Sequence, residues 1–404
     1  MKKIFSLLFL LFIFGIILLN HNHPLASDDT KAILSELNKT LLNYKEEYHF
    51  PSLSAAIAIN GKIFWSNSVG VKELSLKNMA TPETIYRIGS VSKPIAAIAV
   101  MKLVQDKKID LDKTMDFYLA SYFEKEKTAL PQILKDITVG QVLTHTSGIR
   151  HYDYKQGEKE YRGPLLSPAK AMNLYGVLEK SEFKAGQGFL YSTFAYNLLQ
   201  YLIATVSGKS YVQFLKDEIF AAADMKSSGL DHPTEGIQIE AKPYSYDSSN
   251  NTFCDTPTVD VRWKISAGGL ASTVVDLAKL LIALENEKIL SKKTQEMMYT
   301  DVNKTYKGKK SNYGIGHRIW NFSRESNGQD NDKDIDANET LWIGHGGTAT
   351  GSASYFLHNP NKKIIVTVIG NLQVKSKPVS LLASRLAHIV DKQMPLLPIE
   401  EGSF

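Results

Sequence analysis

Cysteine is almost missing from this chain of 404 residues. The single thiol, Cys254, excludes an internal disulfide and any zinc centre built on paired cysteines. Its neighbours Phe253 and Asp255 match no thiol-protease signature, and it is expected to be a small, part-buried loop residue. Long basic runs are missing too. The net charge of +5 comes from scattered lysines with no interleaved aromatic stripe, which excludes the usual footprint of a nucleic-acid partner. The pair His21-x-His23 lacks the following Asp-His that a two-metal hydrolase needs. Gly208-Lys209-Ser210 lacks the upstream glycine of a phosphate loop, because Ile203 stands there. No metal and no cofactor is expected. Internal repeats and low-complexity linkers are absent as well. What remains is an ordinary globular composition, 43% hydrophobic and 22% charged, that suits one large domain or two closely joined subdomains.

The N-terminus carries an address. Lys2 and Lys3 precede an apolar run over residues 4–19, followed by Asn20, His21, Asn22, His23 and Pro24. A short basic stretch before an apolar one is the pattern of a secretory signal, and the run is shorter than the ~20 residues that cross a bilayer. Residues 1–26 are expected to be a signal peptide cut after Ala26, with an uncleaved membrane anchor as the alternative because Pro24 fits a cleavage site poorly. The expected location is outside the membrane, periplasmic or secreted. Membrane contact is expected only through this segment.

The hydrophobic period then changes along the chain. Ile33, Leu34, Leu37, Leu41 and Leu42 recur at helical spacing over 28–48. Residues 53–59 and 63–69, joined by Asn60-Gly61, predict a β-hairpin. Residues 94–105 are apolar and helical, and 108–122 hold a loop and a short helix. Helical segments dominate from about 130 to 290, broken by polar loops at 150–165 and 230–260. Strand patterns return at 313–320, 352–358 and 363–370, and a last helix spans 376–390. Strands at both ends of the chain predict an α+β fold. A mostly antiparallel sheet, from about 27–90 and 305–404, is flanked by the terminal helices, with a helical part from about 91–304 packed on it and a cleft between the two. Residues 27–404 form that domain.

Three stretches carry chemistry. The first is Arg87-Ile88-Gly89-Ser90-Val91-Ser92-Lys93. Ser-x-x-Lys recurs at Ser167/Lys170 and Ser181/Lys184, but only Ser90 opens a long apolar helix. Residues three apart share a helix face, so Ser90 and Lys93 can touch. The helix N-terminus favours a developing oxyanion, and a desolvated lysine can accept a proton. Pro94 falls in the first turn, where proline is tolerated. The second stretch is Gly188-Phe189-Leu190-Tyr191-Ser192-Thr193, in which a tyrosine beside a cation can act as a base. The third is Gly344-His345-Gly346-Gly347-Thr348, whose paired glycines let a backbone approach a ligand, with a plain glycine turn as the alternative.

Together these stretches resemble the serine β-lactamase-related family, which includes class C β-lactamases, D-Ala-D-Ala carboxypeptidases and related esterases. The resemblance runs from about residue 40 to 390. Further segments look like the family: Leu143-Thr144-His145-Thr146-Ser147-Gly148, Ser266-Ala267-Gly268-Gly269-Leu270 and Tyr313-Gly314-Ile315-Gly316. Ser147 to Tyr152 and Phe189 to Thr193 look most like the animal mitochondrial branch, which implies a serine protease or amidase able to polymerise.

The resemblance implies a β-lactamase/transpeptidase-like fold and a role for each matching residue. Ser90 is acylated, Lys93 holds the proton network, and Tyr191 passes the proton to the leaving group. The backbone N–H groups of Ser90 and Thr348 form the oxyanion hole. Thr193, His345, Gly346 and Gly347 line the substrate. His145 is structural in the family. Asp153 and Tyr154 lie in a loop that could border the cleft.

The sequence also departs from the class C pattern. Lys-Thr-Gly becomes His345-Gly346-Gly347, which replaces a permanent cation by a group only partly charged near neutral pH. Thr193 replaces the usual asparagine of Tyr-x-Asn. The implied function is an exported serine hydrolase acting on a peptide, amide or ester, with weak or no β-lactamase activity. The alternative is a catalytically silent binding or filament-forming protein on the same fold.

Overall fold

The computed structural model describes residues 28–392 apart from 154–157, 159, 160, 162, 164, 167, 258, 303, 307, 322–340 and 375. The expected signal segment, Tyr154 and Ser167 lie outside the described residues. The first described elements are helix α1 (Asp28–Glu47) and the hairpin β1 (Ser52–Ile59) and β2 (Lys62–Glu73), with a short β3 (Asn78–Met79). Asn60 and Gly61 both take positive φ, 52° and 74°, as a two-residue hairpin turn requires. Helices α2 (Ser92–Gln105), α3 (Met115–Lys125), α4 (Thr193–Ser207) and α5 (Val274–Glu285) follow. The chain returns to strands β4 (Arg318–Asn321), β5 (Leu341–Ala349), β6 (Ser352–Asn359) and β7 (Ile364–Gly370), and helix α6 (Lys377–Val390) is the last described element.

These strands build one seven-stranded sheet in the order β4-β5-β6-β7-β1-β2-β3, antiparallel at every junction. The two ends of the chain meet where β1 pairs with β7, Ile59 opposite Ile364 and Leu53 opposite Gly370. Alternation along β1 sends Ala56 and Ala58 to one face and Ala55 and Ile57 to the other. The first face packs on α5 and shares one apolar cluster with α2 and α4. The second is covered by α1 and α6 through Leu37, Leu41, Leu382 and Leu386, each of which contributes about 1.5–3 kcal/mol by leaving water. A sheet with both faces covered explains why β6 and β7 are buried along their whole length.

The expected α+β plan is therefore the observed one, with three differences. Residues 313–320 do not form a strand throughout. Only Arg318–Asn321 does, with Tyr313 making an isolated bridge to Arg318. The glycine-rich stretch 344–348 is not a turn, because it lies inside β5. The middle of the chain also contains short strands. Tyr86–Arg87 and Gly229–Leu230 flank Leu270–Ser272, and Tyr244–Asp247 pairs with Thr252–Asp255. Cys254 sits on the last of these and is exposed, not part-buried in a loop.

Candidate active site

Ser90 lies in the single turn Gly89–Val91, between the strand Tyr86–Arg87 and helix α2. Buried polar contacts fix this turn on three sides. Ser92 donates through Oγ to the Gly89 carbonyl at 2.7 Å and accepts from the Leu270 N–H at 3.1 Å. Ser354 on β6 donates to the Ile88 carbonyl at 2.7 Å, and Ser352 to the Arg87 carbonyl at 2.7 Å. The Arg87 side chain pairs with Asp231 at 2.7 Å and donates to the Thr350 carbonyl at 3.1 Å. Gly89 has φ of +50°, and a Cβ there would stand 2.7 Å from the Thr348 carbonyl oxygen. Only glycine lets the backbone of β5 come this close to the turn.

Helix α2 is buried on every side, which follows from its nearly continuous apolar sequence. Lys93 is 0% exposed within it, whereas Ser90 stays partly open to solvent. The Lys93 nitrogen has three oxygen neighbours: the Ala267 carbonyl at 2.6 Å, Ser90 Oγ at 3.1 Å and Thr193 Oγ1 at 3.2 Å. It also stands 4.9 Å from the centroid of the Tyr191 ring. Burial, and after it the charge of Lys264, hold this amine well below the ordinary lysine range. An uncharged amine has two N–H groups and one lone pair. An amine that gives its two N–H groups to Ala267 and Thr193 has its lone pair left to take the Ser90 proton.

Tyr191 is held by the backbone around it. The Leu190 N–H donates to the His145 carbonyl at 2.9 Å, and the Ser192 N–H donates to His145 Nδ1 at 3.1 Å. Ser192 caps α4 by accepting from the Ala195 N–H at 3.0 Å. The Thr193 N–H donates to His151 Nδ1 at 3.2 Å. Both imidazoles accept through Nδ1, so both are neutral with the proton on Nε2. Burial first, then the charge of Lys264, pushes His151 down to about 3, and burial holds His145 well below its ordinary value. His145, a family-like residue read as structural, and His151, which falls in the family-like run from Ser147 to Tyr152, thus orient the tyrosine loop. Arg150 next to them makes a two-pronged bond with Glu158 at 2.6 and 2.8 Å.

His345 differs most from expectation. Its ring is fully buried on β5, donates through Nδ1 to the Gly346 carbonyl at 2.6 Å and accepts at Nε2 from the Tyr313 hydroxyl at 3.0 Å. Burial holds it well below the ordinary histidine range. The residue that stands where class C enzymes have a cation is neutral and turned inward. Gly347 faces the nucleophile turn, and a Cβ on it would lie 2.1 Å from the Ile88 carbonyl oxygen. Thr348 is exposed, with its backbone against Gly89. The structure therefore brings Ser90, Lys93, Tyr191, Thr193, Gly347 and Thr348 to one place and keeps His345 behind them. Lys184, of one rival Ser-x-x-Lys, is exposed. Among the described residues, no cluster of three His, Cys, Asp or Glu side chains is placed to hold a metal ion.

Residues 37–390 match the family model described as Beta-lactamase. The human "Serine beta-lactamase-like protein LACTB, mitochondrial" is 26% identical over 348 residues, covering 67% of this chain and 62% of its own. The "Teichoic acid D-alanine hydrolase" of Staphylococcus aureus is 28% identical over 240 residues, covering 59% of this chain and 56% of its own. The chain thus spans less than two thirds of the length of either relative. Among solved structures, the octameric penicillin-binding protein homologue from Pyrococcus abyssi superposes with a TM-score of 0.71 at 27% identity, covering 88% of this chain and 77% of that one. The chain belongs to the β-lactamase family and has the β-lactamase/transpeptidase-like fold.

Proposed function

We propose that this chain is a serine hydrolase that works through an acyl-enzyme on Ser90 and acts on a peptide, amide or ester, with weak or no β-lactamase activity. One observation carries the reading: the fully buried Lys93 amine, 3.1 Å from Ser90 Oγ and held far below its ordinary basicity. A surface lysine at the same spacing would be charged and useless as a base. Here the Ser90 proton passes to Lys93 as Oγ bonds to the substrate carbonyl carbon. The oxyanion takes the backbone N–H groups of Ser90 and Thr348, each contributing a few kcal/mol to the transition state. Tyr191, whose ring lies beside Lys93, carries the proton to the leaving group. Water then cleaves the acyl ester by the reverse route.

The third motif supports the substrate class. A buried neutral His345 offers no charge to a carboxylate, and Gly346 offers no hydroxyl. β-Lactams, which carry a carboxylate beside the ring, lose that anchor, while a neutral amide or ester does not need it. The N-terminal run supports export, and among the described residues no helix is long and apolar enough to cross a membrane. The octameric relative supports assembly into oligomers.

The test is intact mass after exposure to a fluorophosphonate and, separately, to a penicillin, with peptide mapping of the adduct. The expected result is one fluorophosphonate adduct on the peptide containing Ser90 and a slow, persistent penicillin adduct there. Folded protein that takes neither reagent sinks the reading and leaves the silent binding or filament-forming alternative. Tyr191→Phe should keep the adduct but lower turnover of a p-nitrophenyl ester by about 10²-fold. Unchanged turnover would remove Tyr191 from proton transfer.

A further inference from the structure

The chemistry of Ser90, Lys93 and Tyr191 leaves a second lysine beside the same turn unused. Lys264 is 7% exposed, and lysine is rarely buried so far. It ends the short turn Arg262–Lys264, which runs straight into Ile265–Gly268. Its ammonium stands 5.7 Å from the centroid of the Trp263 ring, within range of a cation–π contact. A methyl group placed on Gly268 would lie 3.7 Å from the Lys264 ammonium and 3.7 Å from the carbonyl carbon of Gly89, the residue before the nucleophile. Lys93 reaches the same segment through its 2.6 Å bond to the Ala267 carbonyl. Two lysine side chains thus converge on consecutive residues of one buried turn.

We propose that Lys264 is a positioning residue for the acylation of Ser90, acting across the Ala267–Gly268 turn through the Lys93 amine and not on the substrate. The inference rests on the serine-hydrolase reading of the site. Two ammonium groups beside one buried turn repel, and the one that is harder to solvate gives up its proton. Lys93 is 0% exposed, while Lys264 keeps some contact with solvent and has an indole ring beside it. The charge of Lys264 thus adds to burial in keeping Lys93 an amine.

The other groups around Lys93 do not do this work. His145 and His151 come from the segment before α4, and His345 from β5. All three are held neutral by burial and add no charge at neutral pH. Tyr191 and Tyr196 present ring faces at 4.9 and 5.9 Å, which favour a cation and so act against deprotonation. Arg318 on β4 acts on His145 and His345. Burial is the first cause of the lowered basicity of Lys93, and Lys264 is the second.

The experiment is the rate of fluorophosphonate labelling against pH for wild type, Lys264→Met and Lys264→Arg. Each labelling event moves the Ser90 proton to Lys93, forms the Oγ–P bond and releases fluoride, so the acid limb reads how readily Lys93 accepts. Removing the positive charge should raise that limb by about one pH unit and slow labelling below it by about tenfold. Lys264→Arg should keep the wild-type limb. Thermal unfolding monitors the fold, and Lys264→Gln gives the same reading if the methionine variant does not fold. An unmoved limb in the neutral variants, or an arginine variant that behaves like methionine, overturns the inference while wild type still labels. Wild type that takes no label overturns the serine-hydrolase reading and this inference with it.

Discussion

Lys93→Met is expected to slow acylation of Ser90 by about 10³-fold, the scale lost when a positioned general base is removed. Methionine fits the same narrow course through α2, so the helix should form as before. What disappears is the lone pair 3.1 Å from Ser90 Oγ. The same variant also tests the protonation state directly through stability. The folded-state basicity of Lys93 is depressed below 10.5, so between its folded value and 10.5 the unfolded chain binds one more proton than the folded one. Stability therefore rises with pH across that window, by about 1.4 kcal/mol per pH unit from this group. In Lys93→Met the contribution is gone. Urea unfolding at pH 8, 9 and 10 should give a wild-type slope steeper than that of the variant by that amount. Equal slopes would mean that Lys93 is charged in the folded protein, and the base would have to be sought elsewhere.

That test bears on what the sequence could and could not disclose. The pairing of Ser90 with Lys93 was legible because it depends only on helical spacing and on an apolar run that forces α2 inward. The hairpin at Asn60-Gly61 was legible because its turn requires two residues at positive φ. Strand β5 was not, because Gly344, Gly346 and Gly347 read as turn residues by propensity. Their reason is tertiary: each is crowded by a neighbour, such as Phe356, Ser376 or Ile88, that leaves no room for a Cβ. His345 was read by analogy of position as a partly charged contact. Its neutrality comes from burial, which arises only once β5 is folded, and its Nδ1 bond to Gly346 works the other way. Lys264 carried no sequence signal at all, and His151 only its place in the family-like run from Ser147 to Tyr152. Local pattern reports periodicity and backbone demands, whereas a charge 171 positions away along the chain acts only through the fold.

Gly347→Ala should lower the acylation rate by about 10²–10³-fold, the size of losing one oxyanion donor. The added methyl would stand 2.1 Å from the Ile88 carbonyl oxygen and 2.4 Å from Ser354 Oγ. The serine can rotate away, at the cost of its 2.7 Å bond to Ile88. The carbonyl belongs to the backbone two residues before the nucleophile and cannot rotate away. Relief requires β5 to move from the Ser90 turn by about 1 Å, enough to misplace a reacting group by a catalytically large amount. Because Thr348 follows Gly347, its N–H moves with the strand and no longer converges with that of Ser90. Stability should fall by only about 1–3 kcal/mol, since the rest of β5 remains paired with β4 and β6. Labelling rates measured beside melting curves separate the two effects. A variant that is destabilised to this extent yet labels at the wild-type rate would place the oxyanion donors elsewhere. A slow variant with a nearly intact fold would locate the role of Gly347 in the approach of two backbone segments, a requirement that no side chain at this position can meet.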